Sequence, residues 1–178
     1  MEADQMVELQ EGKHLTFSLG KETYGIPIQH VQQIIGMMDI TEIPRMPKFI
    51  KGVTNLRGKI IPILDLRLKF GLPPIDYTDR TCIIIVEMQV NGIKKWMGVV
   101  VDAVSEVLNI QSSEIEPPPQ YGTQTENDFL TGMGKVKGKV ILLLEMQKVL
   151  NQEDLKLLQQ SNLADGTTPK SEEEREES

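Results

Sequence analysis

Catalysis or ligand binding in a chain of 178 residues needs a nucleophile with a base, an acid–base pair, a ligand cluster or a phosphate cradle, and few residues here offer one. The two histidines, His14 and His30, have no cysteine and no second histidine at ligand spacing. Each reads as a packing or surface residue rather than a metal ligand or general base. Cys82 is the single cysteine and opens the β-branched run Cys82-Ile-Ile-Ile-Val86. A thiol there is a small buried hydrophobe, since no neighbouring base would make it a thiolate. Asp65 with Arg67, or Asp102 with Glu106, can be drawn as acid–base pairs. Both lie where a strand gives way to a turn or helix, so capping or a solvated pair is the simpler role. Gly132-Met-Gly-Lys-Val-Lys-Gly138 has glycines and lysines without the phosphate-loop spacing, and a strand rather than a helix follows it; a hairpin turn accounts for it. The expectation is a protein that is not an enzyme and carries no metal and no cofactor.

Charge narrows the remaining classes. The formal net charge is -7, but residues 1–13 hold four acids against Lys13, and residues 161–178 hold six against Lys170 and Arg175. The 16 basic and 16 acidic residues between them cancel. Residues 1–13 are thus expected to be a flexible acidic N-terminus and residues 161–178 a disordered acidic tail, with solubility as their simplest purpose. Within the body, seven basic residues from Arg45 to Lys69 face one acid, Asp65. Binders of single-stranded nucleic acid interleave such charge with aromatic platforms, whereas Phe49 and Phe70 are the only aromatics in this stretch; no nucleic-acid partner is expected. The longest apolar run, Val140 to Leu144, is strand-length rather than the ~20 residues of a membrane span, and the acidic start lacks a signal-peptide core. With one cysteine, the chain fits a reducing compartment. A soluble cytoplasmic protein without direct membrane insertion is expected, its core aliphatic because aromatics make up only 4% of the chain.

What remains is binding to other proteins. Arg57 occupies the tip of the turn Asn55-Leu-Arg-Gly58, where turn chemistry makes no demand for arginine. A guanidinium on a rigid turn beside an apolar strand can anchor an interface by bidentate contact to carboxylate or carbonyl oxygens.

The elements that must position it are mostly strands. Leu15, Phe17 and Leu19 alternate with polar residues, Gly20-Lys21 turns the chain, and Tyr24, Ile26 and Ile28 continue with period two, which predicts a hairpin. Asn91-Gly92 between Cys82–Val86 and Trp96–Val101 is a second hairpin signal. Val53 and Ile60-Ile-Pro-Ile-Leu64 flank the Arg57 turn as a third, with Pro62 expected to place its strand at an edge or corner. Val31, Ile34 and Ile35 suggest a short helical face. Asn151 and Asp154 suggest an N-cap for a C-terminal helix ending near Gln160.

An internal repeat organises these elements. Residues 49–66 match 129–146 at a constant offset of 80, with Phe49/Phe129, Gly52/Gly132, Gly58/Gly138, Lys59/Lys139, Ile61/Ile141 and Leu64/Leu144 identical. Residues 24–35 match 97–108 at an offset of 73, and the difference falls in the proline-rich stretch 117–128. Two copies, roughly 14–70 and 80–150, are too small for separate cores and are expected to share one. Closed barrels would remove the exposed edges of so many short strands.

The string Phe49-Ile-Lys-Gly-Val-Thr-Asn-Leu-Arg-Gly-Lys-Ile-Ile-Pro-Ile-Leu-Asp-Leu-Arg-Leu-Lys-Phe70 closely resembles the bacterial chemotaxis coupling family CheW. So do Tyr24-Gly-Ile-Pro-Ile28, Val99-Val-Val-Asp-Ala-Val-Ser-Glu-Val-Leu108 and Phe129-Leu-Thr-Gly-Met-Gly134, in matching order from about His14 to Gln160. The resemblance implies a mostly β fold for residues 14–160: two SH3-like five-stranded β-barrel subdomains sharing a hydrophobic seam, with short helices and a C-terminal helix. It implies an adaptor without catalysis, recruited to membrane-associated receptor arrays. Its partners would be the regulatory CheW-like domain of the histidine kinase CheA and the cytoplasmic helical tips of methyl-accepting chemoreceptors. A paralogous coupler of another array, such as one controlling pili, is the nearer alternative, and a nucleic-acid-binding barrel the more distant one. Carried over by position, the partner-binding residues are Arg57 and Asn55 of the turn and Val31, Gln33, Ile34 and Ile35 of the segment after the first hairpin. Gly52 and Val104 are contact or support positions. The family often has glutamate where this chain has Gln33, so an ion pair is expected to be missing and Arg57 correspondingly freer.

Overall fold

Turn chemistry sets the strand pairs. The computed structural model describes residues 11–118 and 129–160. Arg57-Gly58, Asn91-Gly92 and Lys137-Gly138 each place both residues at positive φ (52° and 89°, 53° and 78°, 53° and 77°). This is the two-residue turn whose twist matches that of the flanking strands. The strands are β1 (Gly12–Leu19), β2 (Glu22–Pro27), β3 (Val31–Gly36), β4 (Ile50–Leu56), β5 (Lys59–Asp65) and β6 (Cys82–Val90). There follow β7 (Ile93–Val101), β8 (Ala103–Ile110), β9 (Ile115–Glu116), β10 (Leu130–Val136) and β11 (Lys139–Leu144). One helical turn, α1 (Leu66–Lys69), follows β5, and α2 (Gln152–Gln160) closes the described chain. The expected cap of α2 is present and reciprocal: Asn151 Oδ1 accepts from the Asp154 amide (2.8 Å), and Asp154 Oδ2 accepts from the Asn151 amide (3.1 Å).

The strands form two sheets, in the orders β8-β1-β2-β11-β10-β9 and β3-β6-β7-β5-β4. All pairings are antiparallel except β2–β11 and β5–β7. The repeat halves 14–70 and 80–150 do not map one to one onto the sheets. The first sheet takes β1 and β2 from the leading half and β8–β11 from the trailing one, and the second takes β3–β5 and then β6 and β7. Each half thus lends a hairpin to one sheet and its remaining strands to the other. The largest core cluster lies on the seam between them, with Leu15, Phe17 and Ile26 from one sheet and Leu64, Ile84, Val86 and Val99 from the other. Phe17, Tyr24, Phe70 and Phe129 run along it with successive ring centroids 5.9, 5.5 and 4.7 Å apart. A second cluster (Leu56, Ile61, Ile63, Ile83, Ile85, Val100) fills the concave side of the five-stranded sheet, and a third (Ile110, Ile115, Val136, Ile141, Leu143) that of the other.

Three expectations are corrected. Neither sheet is a closed barrel, because each hydrogen-bonded order has two ends. In the first, β8 ends just before β9, which pairs with the far strand β10 through Glu116↔Met133. In the second, a single bridge, Thr41↔Val53, joins the chain beyond β3 to the far strand β4. Val53 and Met133 are repeat mates, so both copies curl their sheet by the same device. Counting β8 and β9 as one bent strand gives the expected five. Second, residues 31–36 are a strand rather than a helical face: β-branched Val31, Ile34 and Ile35 suit a ladder with β6. Third, Pro62 lies on an interior strand. Val53, its partner in register, sends both its N–H and its carbonyl to Thr41, so Pro62 nitrogen faces away from β4. On that other side the pairing with β7 begins only at Ile63, and no donor is required of the proline.

Candidate functional site

The Arg57 turn is braced by its own sequence. Asn55 Oδ1 accepts from the Gly58 amide at 2.8 Å, which makes Asn55 a clamp on the turn. Arg57, at φ 52°, stands exposed at the tip. Its guanidinium Nη2 donates to Gln33 Oε1 at 2.7 Å. The curl of the sheet brings together β3 and the β4–β5 turn, elements at opposite ends of the strand order. The expectation that Arg57 is freer without a glutamate is therefore modified: the amide oxygen of Gln33 still holds it. What differs is the charge, because a neutral acceptor leaves the guanidinium's positive charge uncompensated. Beside it, the Lys59 ammonium lies 3.8 Å from the centroid of the Trp96 ring, a cation–π contact.

The strand conformation of 31–36 sorts the other expected residues onto two faces. Gln33 and Ile35 pair with Ile85 and Ile83, whose side chains fill the concave core, and Ile35 packs on that core. Val31 and Ile34 pair with Val86 and Ile84, which belong to the seam. Ile34 is 43% exposed, so it carries the seam's apolar face out into solvent at the sheet edge. Val104 lies on β8, the edge strand of the other sheet, half-buried against the seam core. Its repeat mate is Val31. The residue that sequence reasoning missed is Val107, the repeat mate of Ile34 and 48% exposed. The 73-residue offset already carried that signal. Gly52 is buried behind the turn at φ +140°, and a Cβ there would stand 2.0 Å from the Thr41 carbonyl oxygen, so its place is in the Thr41–Val53 bridge.

The candidate acid–base pairs are structural ties. Asp65 is buried; its carboxylate accepts from the Leu68 amide (3.2 Å), capping α1, and from the Tyr77 hydroxyl (2.9 Å). Burial first, then the Asp65 charge and its hydrogen bond, raise the Tyr77 pKa far above that of an ordinary phenol. Arg67 bridges to Asp102 (2.7 Å), whose carboxylate also accepts from the Gly20 amide, and Lys69 bridges to Asp154 of α2 (2.9 Å). His14 is buried, and its Nδ1–H donates to the Gly12 carbonyl (3.0 Å). Burial lowers its pKa, with that hydrogen bond opposing. Cys82 is half-buried and its thiol donates to the Arg80 carbonyl. Among the described residues no group of three or more His, Cys, Asp or Glu could hold a metal ion, and no helix is long and apolar enough to cross a membrane. The arrangement offers a fixed cation on a turn and apolar side chains at two sheet edges, which is the chemistry of a contact surface.

Comparison with known proteins bears on what such a surface meets. A family model described as the CheW-like domain matches residues 13–154. The chemotaxis protein CheW of Klebsiella aerogenes is 40% identical over 144 residues, covering 81% of this chain and 84% of that protein. The chemotaxis protein CheW of Helicobacter pylori is 31% identical over 138 residues, covering 77% and 80%. The crystal structure of the scaffolding protein TtCheW from Thermoanaerobacter tengcongensis matches with a TM-score of 0.71 at 38% identity, covering 82% of this chain and 96% of that one.

Proposed function

The chain belongs to the CheW-like domain family, a family of chemotaxis scaffolds, and from this we propose that it couples the histidine kinase CheA to the cytoplasmic tips of chemoreceptors in the cytoplasm, with no catalysis of its own. The observation that carries the reading is Arg57: a cation fixed on a braced turn, bonded at 2.7 Å to a neutral amide. A charged partner group can displace that amide without breaking an ion pair. A buried bidentate contact of this kind is a frequent centre of binding energy. The apolar edges at Val31 and Ile34, and at Val104 and Val107, suit the apolar stripe of a helix from a receptor bundle. Contacts of this size, ~800 Å² per partner or less, bind weakly one at a time and gain strength when several act together in an array.

The test is titration calorimetry against the kinase's regulatory domain and against a receptor-tip fragment. Arg57→Ala is expected to weaken one of the two by about 2 kcal/mol, roughly 30-fold. Folding stability should stay within about 0.5 kcal/mol, because an exposed turn residue is being shortened. Native protein that binds neither partner refutes the coupling role. An equal loss of stability and affinity in the variant makes Arg57 a structural residue instead.

A further inference from the structure

Of the seven basic residues between Arg45 and Lys69, Arg67 is spent on Asp102 and Lys69 on Asp154. Among the described residues no carboxylate meets the other five, and two of those, Arg57 and Lys59, stand together at the β4–β5 turn. Helix α2 delivers the chain to that place. Its first turn is anchored by the Lys69–Asp154 bridge. Leu155 and Leu158 line, with Pro62 and Trp96, the small cavity between α2 and the five-stranded sheet. Lys59 lies over the ring of that same Trp96. The described chain ends at Gln160, two residues past Leu158. Beyond it come Glu172, Glu173, Glu174, Glu176 and Glu177, with Arg175 the one basic residue among them. The 12 residues from Gln160 to Glu172 reach at most about 40 Å fully extended, ample to turn back to a site that begins beside α2. A tethered segment meets its own surface at an effective concentration in the millimolar range.

We propose that the acidic segment Glu172–Glu177 folds back onto the Arg57–Lys59 turn of its own molecule and covers the guanidinium there. The contact is exposed and electrostatic, so it is weak, salt-sensitive and readily displaced. A partner that uses Arg57 must compete with it, which sets a threshold on recruitment. That consequence rests on the reading of Arg57 as a partner contact, whereas the docking does not.

The experiment compares amide NMR spectra of the full chain with those of a full-length variant in which the five glutamates are changed to glutamine. Shifts at the Arg57, Gly58 and Lys59 amides and at the Trp96 indole N–H are expected, reproduced in the native chain by 1 M salt and unchanged on dilution. Shifts confined to residues near Gln160, or absent altogether, overturn the proposal; shifts that vanish on dilution place the segment on a second molecule and overturn it too. Calorimetry with the kinase domain then separates the two readings. With docking present, a several-fold tighter complex in the glutamine variant supports the competition. An unchanged affinity leaves the docking standing and counts against Arg57 as the contact.

Discussion

Replacing Gly52 with alanine tests whether that position serves as a contact or as part of the frame. Its φ of +140° lies in a region that side chains rarely occupy, and the new Cβ would stand 2.0 Å from the Thr41 carbonyl oxygen and 2.7 Å from its carbon. Backbone atoms cannot swing aside as a side-chain end can, so the bridge must open. Strain in that region costs on the order of 1–3 kcal/mol. The two hydrogen bonds of the bridge, Thr41 N–H to Val53 (2.8 Å) and Val53 N–H to Thr41 (2.9 Å), contribute about 1 kcal/mol each. The expected loss is therefore ~3–5 kcal/mol, a large part of the ~5–15 kcal/mol that holds a domain folded, and the melting midpoint should fall by about 10 °C. The assay is urea unfolding followed by fluorescence of Trp96, the single tryptophan, which packs on the concave core of the same sheet. Gly36→Ala is the control: a Cβ there meets nothing within 4 Å, and its cost should stay within about 0.5 kcal/mol. Two variants with equal midpoints would mean that no close approach exists at Gly52. A stable Gly52→Ala that loses only partner affinity would return the residue to the contact surface.

Gln33→Glu turns the Arg57 contact into an ion pair. Stability should rise by no more than about 1 kcal/mol, since the pair is exposed, while affinity for the partner that uses Arg57 should fall; unchanged calorimetric affinity would refute the displacement argument. Because burial depresses His14 below the usual 6.5, the unfolded chain takes up a proton first as pH drops. Stability is then full above about pH 6.5 and declines below it toward the folded-state pKa; unfolding midpoints measured from pH 7.5 to 5 should show the slope, and His14→Gln should flatten it. Tyr77→Phe removes the hydroxyl that donates to buried Asp65 and should cost about 1–1.5 kcal/mol. Since the Tyr77 pKa is raised, the native protein also loses stability as pH climbs above 10, where the unfolded phenol ionises first; alkaline melting curves of the two proteins that overlay would contradict the Tyr77–Asp65 bond.

Local chemistry was readable from the residues, and long-range closure was not. Asn91-Gly92 and Arg57-Gly58 announce their turns through the residues that accept positive φ, and Asn151 with Asp154 announces the cap of α2. The 80-residue repeat anticipates even the bulge that shifts register at Ile50/Gly52 and again at Leu130/Gly132. Pairings β2–β11 and β5–β7 leave no such mark, because parallel neighbours far apart in sequence share no turn. Pro62 misled for the same reason: its tolerance depends on where β7 starts to pair. At the site, Arg57 stood out as an arginine that its turn did not require. That it would meet Gln33 depended on the curl of a whole sheet, and that Val31 and Ile34 face away from Gln33 and Ile35 depended on strand rather than helix.

The exchange of hairpins between the two sheets has a consequence for cutting the molecule. A nick between Gly71 and Thr81 would yield two peptides, and each sheet would need strands from both. Neither peptide could then fold alone. Mixed together, they should reconstitute as a tight complementing pair whose assembly depends on dose, so this stretch is a natural place to split the protein into a two-part reporter.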